Sequence, residues 1–379
     1  MAEKDSFQTA RGVYDILPSE QKYWDYVSEI CKKVFEKAGF GKITMPMFED
    51  SSLFIGSIGE GTDIVDKEMY VFEDKGGKSL TLRPEFTASV VRAYIEHGMQ
   101  KQTSPVKLYY EGPIFRYEKP QAGRFRQSYQ IGCELIGEAD PAIDAEIIAL
   151  GQTLFEKMGI SDISLQINSI GCPRCREKFK KDLISFIEKR EDVFCADCLQ
   201  RAHRNPLRVL DCKNERCQKI LEHAPQLIDY LCDECKQHFQ FVLEYLDELG
   251  IVYNLNTKLV RGLDYYTKTV FEFWGEKQGS QSSLGGGGRY DELVKMFGGK
   301  QTPAIGFAIG VERTILEMKE QEIKIPYDNK INIFIAYLGD LAKKETLKII
   351  NECRKADIGI ITYFGKEGLK NQLKIADIC

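Results

Sequence analysis

No stretch of the 379-residue sequence approaches the roughly eighteen consecutive apolar residues that cross a bilayer, and the first twenty residues, MAEKDSFQTARGVYDILPSE, have no apolar segment of the secretory kind. Membrane-spanning and exported proteins are therefore not expected, and the chain reads as soluble and cytoplasmic. The familiar phosphate loops are also missing. GSIGEGT and GGGGRYD match neither the Walker pattern nor the dinucleotide fingerprint, and neither has the strand–loop–helix context those motifs require. A nucleotide would have to be held by side chains. Histidine is scarce, with four residues in all, and the sequence shows neither internal repeats nor low-complexity tracts. The net charge of −5 argues against indiscriminate nucleic-acid binding, while leaving room for a local basic surface.

What is present is an ordinary globular balance, 43% hydrophobic and 29% charged, in a chain long enough for two or three domains. Twelve cysteines in such a chain are expected as thiols or metal ligands rather than disulfides. A first helix is expected from Ser19 through EQKYWDYVSEICKKVFEKAG. Its apolar positions Trp24, Val27, Cys31, Val34, Phe35 and Ala38 recur at helical steps, and Gly39 stops it. SLTLRPEFTASVVRAYIEHG reads as a strand entering a helix, with Pro84 near its start and Gly98 at its exit. PVKLYYEGPIFRYEK and GRFRQSYQIGCELIG read as two long antiparallel strands joined by the loop PQAG, and Asp140 caps the helix that follows. Residues 171–250 turn Cys-, Lys- and Glu-rich and mostly helical. Strand character returns at YNLNTKLVRGLDYYTKTVFEFWG, followed by a Gly-rich turn into RYDELVKMFGG. TPAIGFAIGVERTILEMKEQ is a strand turning into a helix. After a linker around KIPYDNK, INIFIAYLG opens a separate strand–helix–strand–helix unit.

On an alternating strand Ser128, Gln130, Gly132 and Glu134 share one face, and Ile131, Cys133 and Leu135 share the other. A glycine on the polar face weakens a strand but suits a ligand close to the backbone. Arg116 and Glu118 are expected on one face of the preceding strand. Three separated arginines, Arg116, Arg261 and Arg313, each at a strand end or helix start beside other polar groups, suit a polyanion such as a nucleoside triphosphate. Taken alone, each suits a surface ion pair better than a ligand contact.

These segments together resemble histidyl-tRNA synthetases, a class II aminoacyl-tRNA synthetase family, from TARGVYDILP to the C-terminal end. The helix and strand ending at Pro46 resemble motif 1, YYEGPIFRYEKPQAGRFRQSYQIGCELIG motif 2, and GFAIGVERT motif 3. LVRGLDYYT and GGGGRYDELV resemble the two histidine-specific motifs. The resemblance implies an α/β (α+β) fold whose antiparallel sheet is flanked by helices. It divides the chain into a first catalytic part (1–170), a helical Cys-rich insertion (171–250), a second catalytic part (251–325) and an incomplete α/β anticodon-binding domain (330–379). It implies a homodimer that forms histidyl-adenylate from L-histidine and ATP with Mg2+ and then charges tRNA(His). Arg116 would grip the α-phosphate, Glu118 the adenine, and Arg124 and Arg313 the outer phosphates. Glu85, Thr87 and Gln130 would bind the substrate amino group and backbone, and Phe86 would belong to the same histidine site. Glu134 with Tyr265 and Tyr266 would read the imidazole, and Arg261 would lie against the reacting carboxylate and α-phosphate. That carboxylate has a pKa of about 3.5 and is ionised at neutral pH, so no general base is needed. The alternative is a histidine-sensing regulatory subunit of ATP phosphoribosyltransferase, which would not require the retained arginines.

The pairs Cys172/Cys175, Cys195/Cys198 and Cys232/Cys235 are CxxC motifs, and Cys212 and Cys217 stand nearby. Paired thiolates reach one tetrahedral ion from a turn, so these eight residues would make two four-cysteine Zn2+ sites, or one with spare thiols. The plainer alternative, somewhat less favoured, is buried or surface thiols in an ordinary helical insertion. Since many family members carry the insertion without the cysteines, the resemblance makes any such metal structural. The basic residues of RAHRNPLRVLDCKN offer either a surface to the tRNA acceptor arm or a solvated face.

Overall fold

Among the described residues the central sheet has eight strands: β1 (Gly41–Lys42), β2 (Val106–Phe115), β3 (Gln127–Ile136), β4 (Ile163–Ser169), β5 (Tyr253–Leu255), β6 (Thr267–Gly275), β7 (Ser283–Arg289) and β8 (Ala304–Gly310). They are arranged β1-β2-β3-β8-β7-β6-β4-β5 in a computed structural model. The structure describes residues 7–59, 61–101, 104–120, 123–275, 283–326, 331, 333–365 and 368–377. Neighbouring strands are antiparallel except at the two ends, where β1 runs parallel to β2 and β5 parallel to β4. The long hairpin expected from the sequence forms without a slip, Val106 opposite Ile136 through Phe115 opposite Gln127. Strand β2 ends at Phe115, so Arg116 and Glu118 lie just beyond it, although the Arg116 amide still donates to the Arg126 carbonyl at 3.0 Å.

The alternation in β3 sorts its side chains as the sequence suggests. Ile131, Cys133 and Leu135 are buried on the apolar face. There Tyr109 and Phe307 lie opposite Cys133, and Phe35 of the helix Pro18–Lys37 stacks on Tyr109 at 5.4 Å. That helix starts one residue before the expected Ser19 cap. Pro18 takes its first turn, where a missing N–H costs nothing, and Leu17 caps without a side-chain bond. Asp140 caps the helix Pro141–Met158 as expected, accepting the Ala142 amide at 2.8 Å, and Gly159 ends it in the left-handed conformation.

The Gly-rich turn expected before RYDELV is instead the middle of β7. Four glycines persist there because the neighbours come too close for a side chain. A Cβ on Gly286 would stand 2.6 Å from the Phe271 carbonyl and 2.7 Å from Arg261 Nη1. The strand thus trades β propensity for close approach of its neighbours.

Residues 171–250 are helical, with helices Pro173–Glu188, Ala196–Arg204, Glu215–Leu221 and Asp233–Glu248. The segment's buried Phe179, Leu183, Ile187 and Val209 belong to the same hydrophobic cluster as Ile114 and Val270 of the sheet and Val90 of the helix Thr87–Glu96. The segment lies within one compact unit, Met1–Ile323. A second unit, Lys324–Cys379, holds two parallel strands, Ile333–Ile335 and Ile360–Thr362, and the helices Gly339–Lys355 and Leu369–Ala376. Most of the linker KIPYDNK lies outside the described residues. Among those described, no helix is long and apolar enough to cross a membrane.

The arginine of GGGGRYDELV is structural. Arg289 is fully buried and donates to Asp144 Oδ2 at 2.7 Å and to the Glu138 and Asp140 carbonyls at 2.9 Å. His238 Nε2 meets the other Asp144 oxygen at 3.2 Å. Burial alone would raise the Asp144 pKa, but Arg289 and His238 hold it below the ordinary range. Removing one partner of a buried pair leaves an uncompensated charge. Arg289→Met should therefore destabilise the larger unit by about 3–5 kcal/mol, seen as an earlier urea transition; an unchanged midpoint would refute this.

Candidate active site

The polar face of β3 meets the start of the helix Thr87–Glu96. Glu134, 1% exposed, accepts the Thr87 hydroxyl at 2.7 Å and the Tyr110 hydroxyl at 3.1 Å on Oε1, and the Tyr290 hydroxyl at 2.6 Å on Oε2. A carboxylate offers about four acceptor positions, so one is left for a ligand N–H. Gly306 lies opposite Glu134 on β8, where any Cβ would overlap Oε2. Glu85, also buried, accepts the Thr87 and Ala88 amides at 2.6 and 2.9 Å, closing the open helix end. The Tyr265 hydroxyl reaches Glu85 at 3.4 Å, and the Tyr265 ring lies 4.8 Å from that of Tyr266. Phe86 is sandwiched between the Tyr110 ring at 4.4 Å and the Arg83 guanidinium at 4.1 Å, so it fixes Tyr110 in place. Gln130 is half-buried on the same strand face as Glu134.

Two buried carboxylates near one another favour either a retained proton or a bound cation. Burial pushes Glu134 up to about 7, against the opposing pull of the Tyr290, Thr87 and Tyr110 hydroxyls, and nearby Glu85 adds to the rise. Glu85 is likewise raised by burial, partly offset by the amides it accepts and by Arg116. A ligand ammonium or imidazole N–H would favour the ionised pair. Without ligand, the folded chain keeps the Glu134 proton over a pH range in which the unfolded chain has lost it. This contribution to stability is whole below about 4.5 and is lost as pH rises through about 7. The stability of the wild-type chain relative to Glu134→Gln should thus decline across that window, by at most roughly 1.4 kcal/mol per pH unit. Thermal scans of both proteins at several pH values test this, and a difference independent of pH would count against it.

Near this pair of carboxylates stands a group of arginines. Arg116 donates from Nε to the Pro84 carbonyl at 2.8 Å and lies 3.9 Å from Glu118, which Arg124 approaches to 3.5 Å. Arg313 donates to the Gly123 carbonyl at 3.2 Å and the Ser283 carbonyl at 2.8 Å. Burial lowers its pKa, as do the adjacent charges of Arg124 and Arg116. Like charges crowded on a partly buried surface favour a polyanion between them. Arg261 is ion-paired with Glu272 and stands 5.7 Å from the Tyr266 ring centre. Burial works against its charge, but Glu272 and Tyr266 push its pKa upward. Glu272 also acts on the charge of Arg313, so one carboxylate influences both arginines.

A cleft of about 470 Å³ opens between Arg261 and the helical segment. Arg174, Arg176, Lys180 and Arg208 line it together with Asp264. Of the site residues expected from sequence, Arg261 alone lines this cleft.

The eight cysteines expected as ligands sort into two sets, Cys172, Cys175, Cys232 and Cys235, and Cys195, Cys198, Cys212 and Cys217, with all sulfurs of a set within 4.8 Å of one another.

Sequence reasoning missed Tyr290 and Tyr110, two of the three hydroxyls on Glu134, and Glu272, the partner of Arg261. Tyr290 stood inside a quoted motif. Tyr110 and Glu272 had a detectable signal, since each is register-paired with a glycine, Gly132 and Gly286.

The family model described as histidyl-tRNA synthetase matches residues 12–314. The histidine--tRNA ligase of Halothermothrix orenii is 48% identical over 97% of this chain and 88% of its own length. That of Dehalococcoides mccartyi is 48% identical over 98% and 89%. Among solved structures, the apo histidyl-tRNA synthetase of S. aureus superposes with a TM-score of 0.82 at 37% identity, covering 98% of this chain and 89% of that one. A Bacillus halodurans protein titled an ATP phosphoribosyltransferase regulatory subunit/histidyl-tRNA synthetase reaches 0.67 at 20% identity, covering 94% and 92%, a likeness of fold alone. The family model, the relatives and the shared fold agree: the chain belongs to the histidyl-tRNA synthetase family.

Proposed function

We propose that the chain activates L-histidine with MgATP and passes the histidyl group to the 3′ end of tRNA(His). The observation that most supports it is a buried Glu134 that accepts three hydroxyls with room for one more donor, standing near a cluster of arginines that includes Arg261. In this reading Glu85, Thr87 and Gln130 hold the substrate amino group and backbone. Glu134, set by Tyr110 and Tyr290 and flanked by Tyr265 and Tyr266, accepts one imidazole N–H, while Phe86 acts through Tyr110. Arg116 and Arg261 hold the α-phosphate, Arg124 and Arg313 the outer phosphates, and Glu118 the adenine.

The histidine carboxylate attacks the α-phosphorus, the bond to the bridging oxygen breaks, and pyrophosphate leaves with its electron pair. Mg2+ enters on the phosphates as part of the substrate. The rate enhancement comes from positioning and from charge held ready for the crowded phosphorus. The tRNA terminal hydroxyl then attacks the adenylate carbonyl and AMP departs. The basic cleft beside Arg261 suits the phosphates of that acceptor end.

Structural metal at the cysteine sets would take no part in these steps. A homodimer, supported by the exposed Met47, Phe48, Val71 and Phe72 around the three-stranded sheet that contains Phe48–Asp50, completes the reading, with the cytoplasm as its place of action. Histidine-dependent exchange of pyrophosphate into ATP tests the activity. Exchange above the no-histidine background is expected, and its absence would refute the reading and favour a histidine-sensing role.

A further inference from the structure

We infer that residues 171–250 bind two Zn2+ ions, one in each four-cysteine set, and that each ion braces one flank of the loop 261–266. The second half rests on the proposed role of that loop in holding histidine. A Zn–S bond of about 2.3 Å places the sulfurs of a tetrahedral site about 3.8 Å apart. Cys172 and Cys175 stand at 3.5 Å, and Cys195 and Cys212 at 3.9 Å. Each set is also wrapped as a metal site is wrapped, by backbone N–H groups aimed at sulfur: Cys232 N donates to Cys175 Sγ at 3.1 Å and Cys195 N to Cys217 Sγ at 3.3 Å. Five of the eight thiols are buried: Cys175, Cys198, Cys212, Cys217 and Cys235. Apolar contact does not require four thiols to converge twice; a shared cation does. On binding, the thiols of each set release their protons to solvent, and no electron is transferred.

The sets are nested, the second lying wholly within the chain loop that the first closes. The outer set follows β4 directly. Gly171 has φ +58°, and a Cβ there would stand 2.6 Å from Cys175 Cβ, so glycine lets the chain turn into the site. From this turn the Gly171 carbonyl accepts the Lys268 amide at 2.9 Å, and Arg176, one residue past Cys175, donates to the Tyr266 carbonyl at 3.0 Å. The inner set holds the opposite flank. Between Cys198 and Cys212, Asn205 Nδ2 donates to both oxygens of Asp264 at 2.7 and 2.8 Å, and Arg208 donates to the Arg261 carbonyl at 3.2 Å. The loop is thus gripped at residues 261 and 264 from one set and at 266 from the other.

Metal analysis of protein purified without added metal should find about two zinc per chain. Cys235→Ser and Cys217→Ser should each retain about one. Zinc released from the intact wild-type chain by a mercurial, and read with a chromogenic chelator, gives the same count without relying on the folding of a variant. Less than half an equivalent overturns the proposal, as does iron in place of zinc, or a single equivalent that one of the two substitutions leaves untouched. For the bracing, Arg176→Ala and Asn205→Ala should keep both zinc ions and raise the KM for histidine at least threefold with the KM for ATP unchanged. An unchanged histidine KM in both overturns it. The zinc count needs no activity, so a wild-type chain that holds two zinc without pyrophosphate exchange would sink the synthetase reading and leave the metal sites standing.

Discussion

Replacing Arg261 by lysine should reduce histidine-dependent pyrophosphate exchange by roughly 10²- to 10³-fold, the usual cost of losing one preorganised donor at a developing charge. Glu272 fixes the guanidinium, Tyr266 lies beside it, and Arg208 holds its own backbone carbonyl. Its direction is therefore set before substrate arrives. Lysine keeps the charge but is a flexible point donor, unable to contact Glu272 and a phosphate oxygen through a planar fork. The loss should fall equally on kcat and kcat/KM, because the contact matters most when negative charge accumulates at phosphorus. Thermal unfolding should change little, since the position is only partly buried. A decline smaller than about fivefold would remove Arg261 from the chemistry.

The second large effect is expected at Glu134. Glu134→Gln should raise the KM for histidine roughly 10- to 100-fold, the range for losing a hydrogen bond to a charged group, while the KM for ATP moves little. The carboxylate accepts from three hydroxyls and has capacity for one more donor. An amide has only one acceptor atom, and its NH2 group would face a hydroxyl that now donates to it. Equal changes in the two KM values would show that Glu134 supports the pocket as a whole and does not read the imidazole.

The polar face of β3 was legible because strand alternation is a strict geometric rule, and GRFRQSYQIGCELIG obeys it. The helix Pro141–Met158 was legible through Asp140. The glycine run at 285–288 misled, because glycine signals both a turn and a strand whose neighbours crowd it; only the carbonyls of Phe271 and Gly306 and the side chain of Arg261 decide between the two. The partition of eight cysteines into two nested sets was also hidden. Spacing identifies pairs, but which pairs meet depends on how the helices Pro173–Glu188 and Asp233–Glu248 come together. Tyr290 was overlooked for a related reason: its hydroxyl reaches Glu134 from a residue far along the chain, a closeness made by β8 lying between β3 and β7.

The contact between His238 and Asp144 bears on how this chain could be shortened. Many insertions sit on a scaffold like a detachable handle, and cutting them out leaves the parent whole. Here trimming 171–250 and rejoining the ends would deprive Asp144 of His238, strip the hydrophobic layer of Phe179 and Leu183, and release Asp264 from Asn205. A minimal catalytic fragment made that way should come out insoluble, and a useful one would have to keep the cysteine-bearing arm.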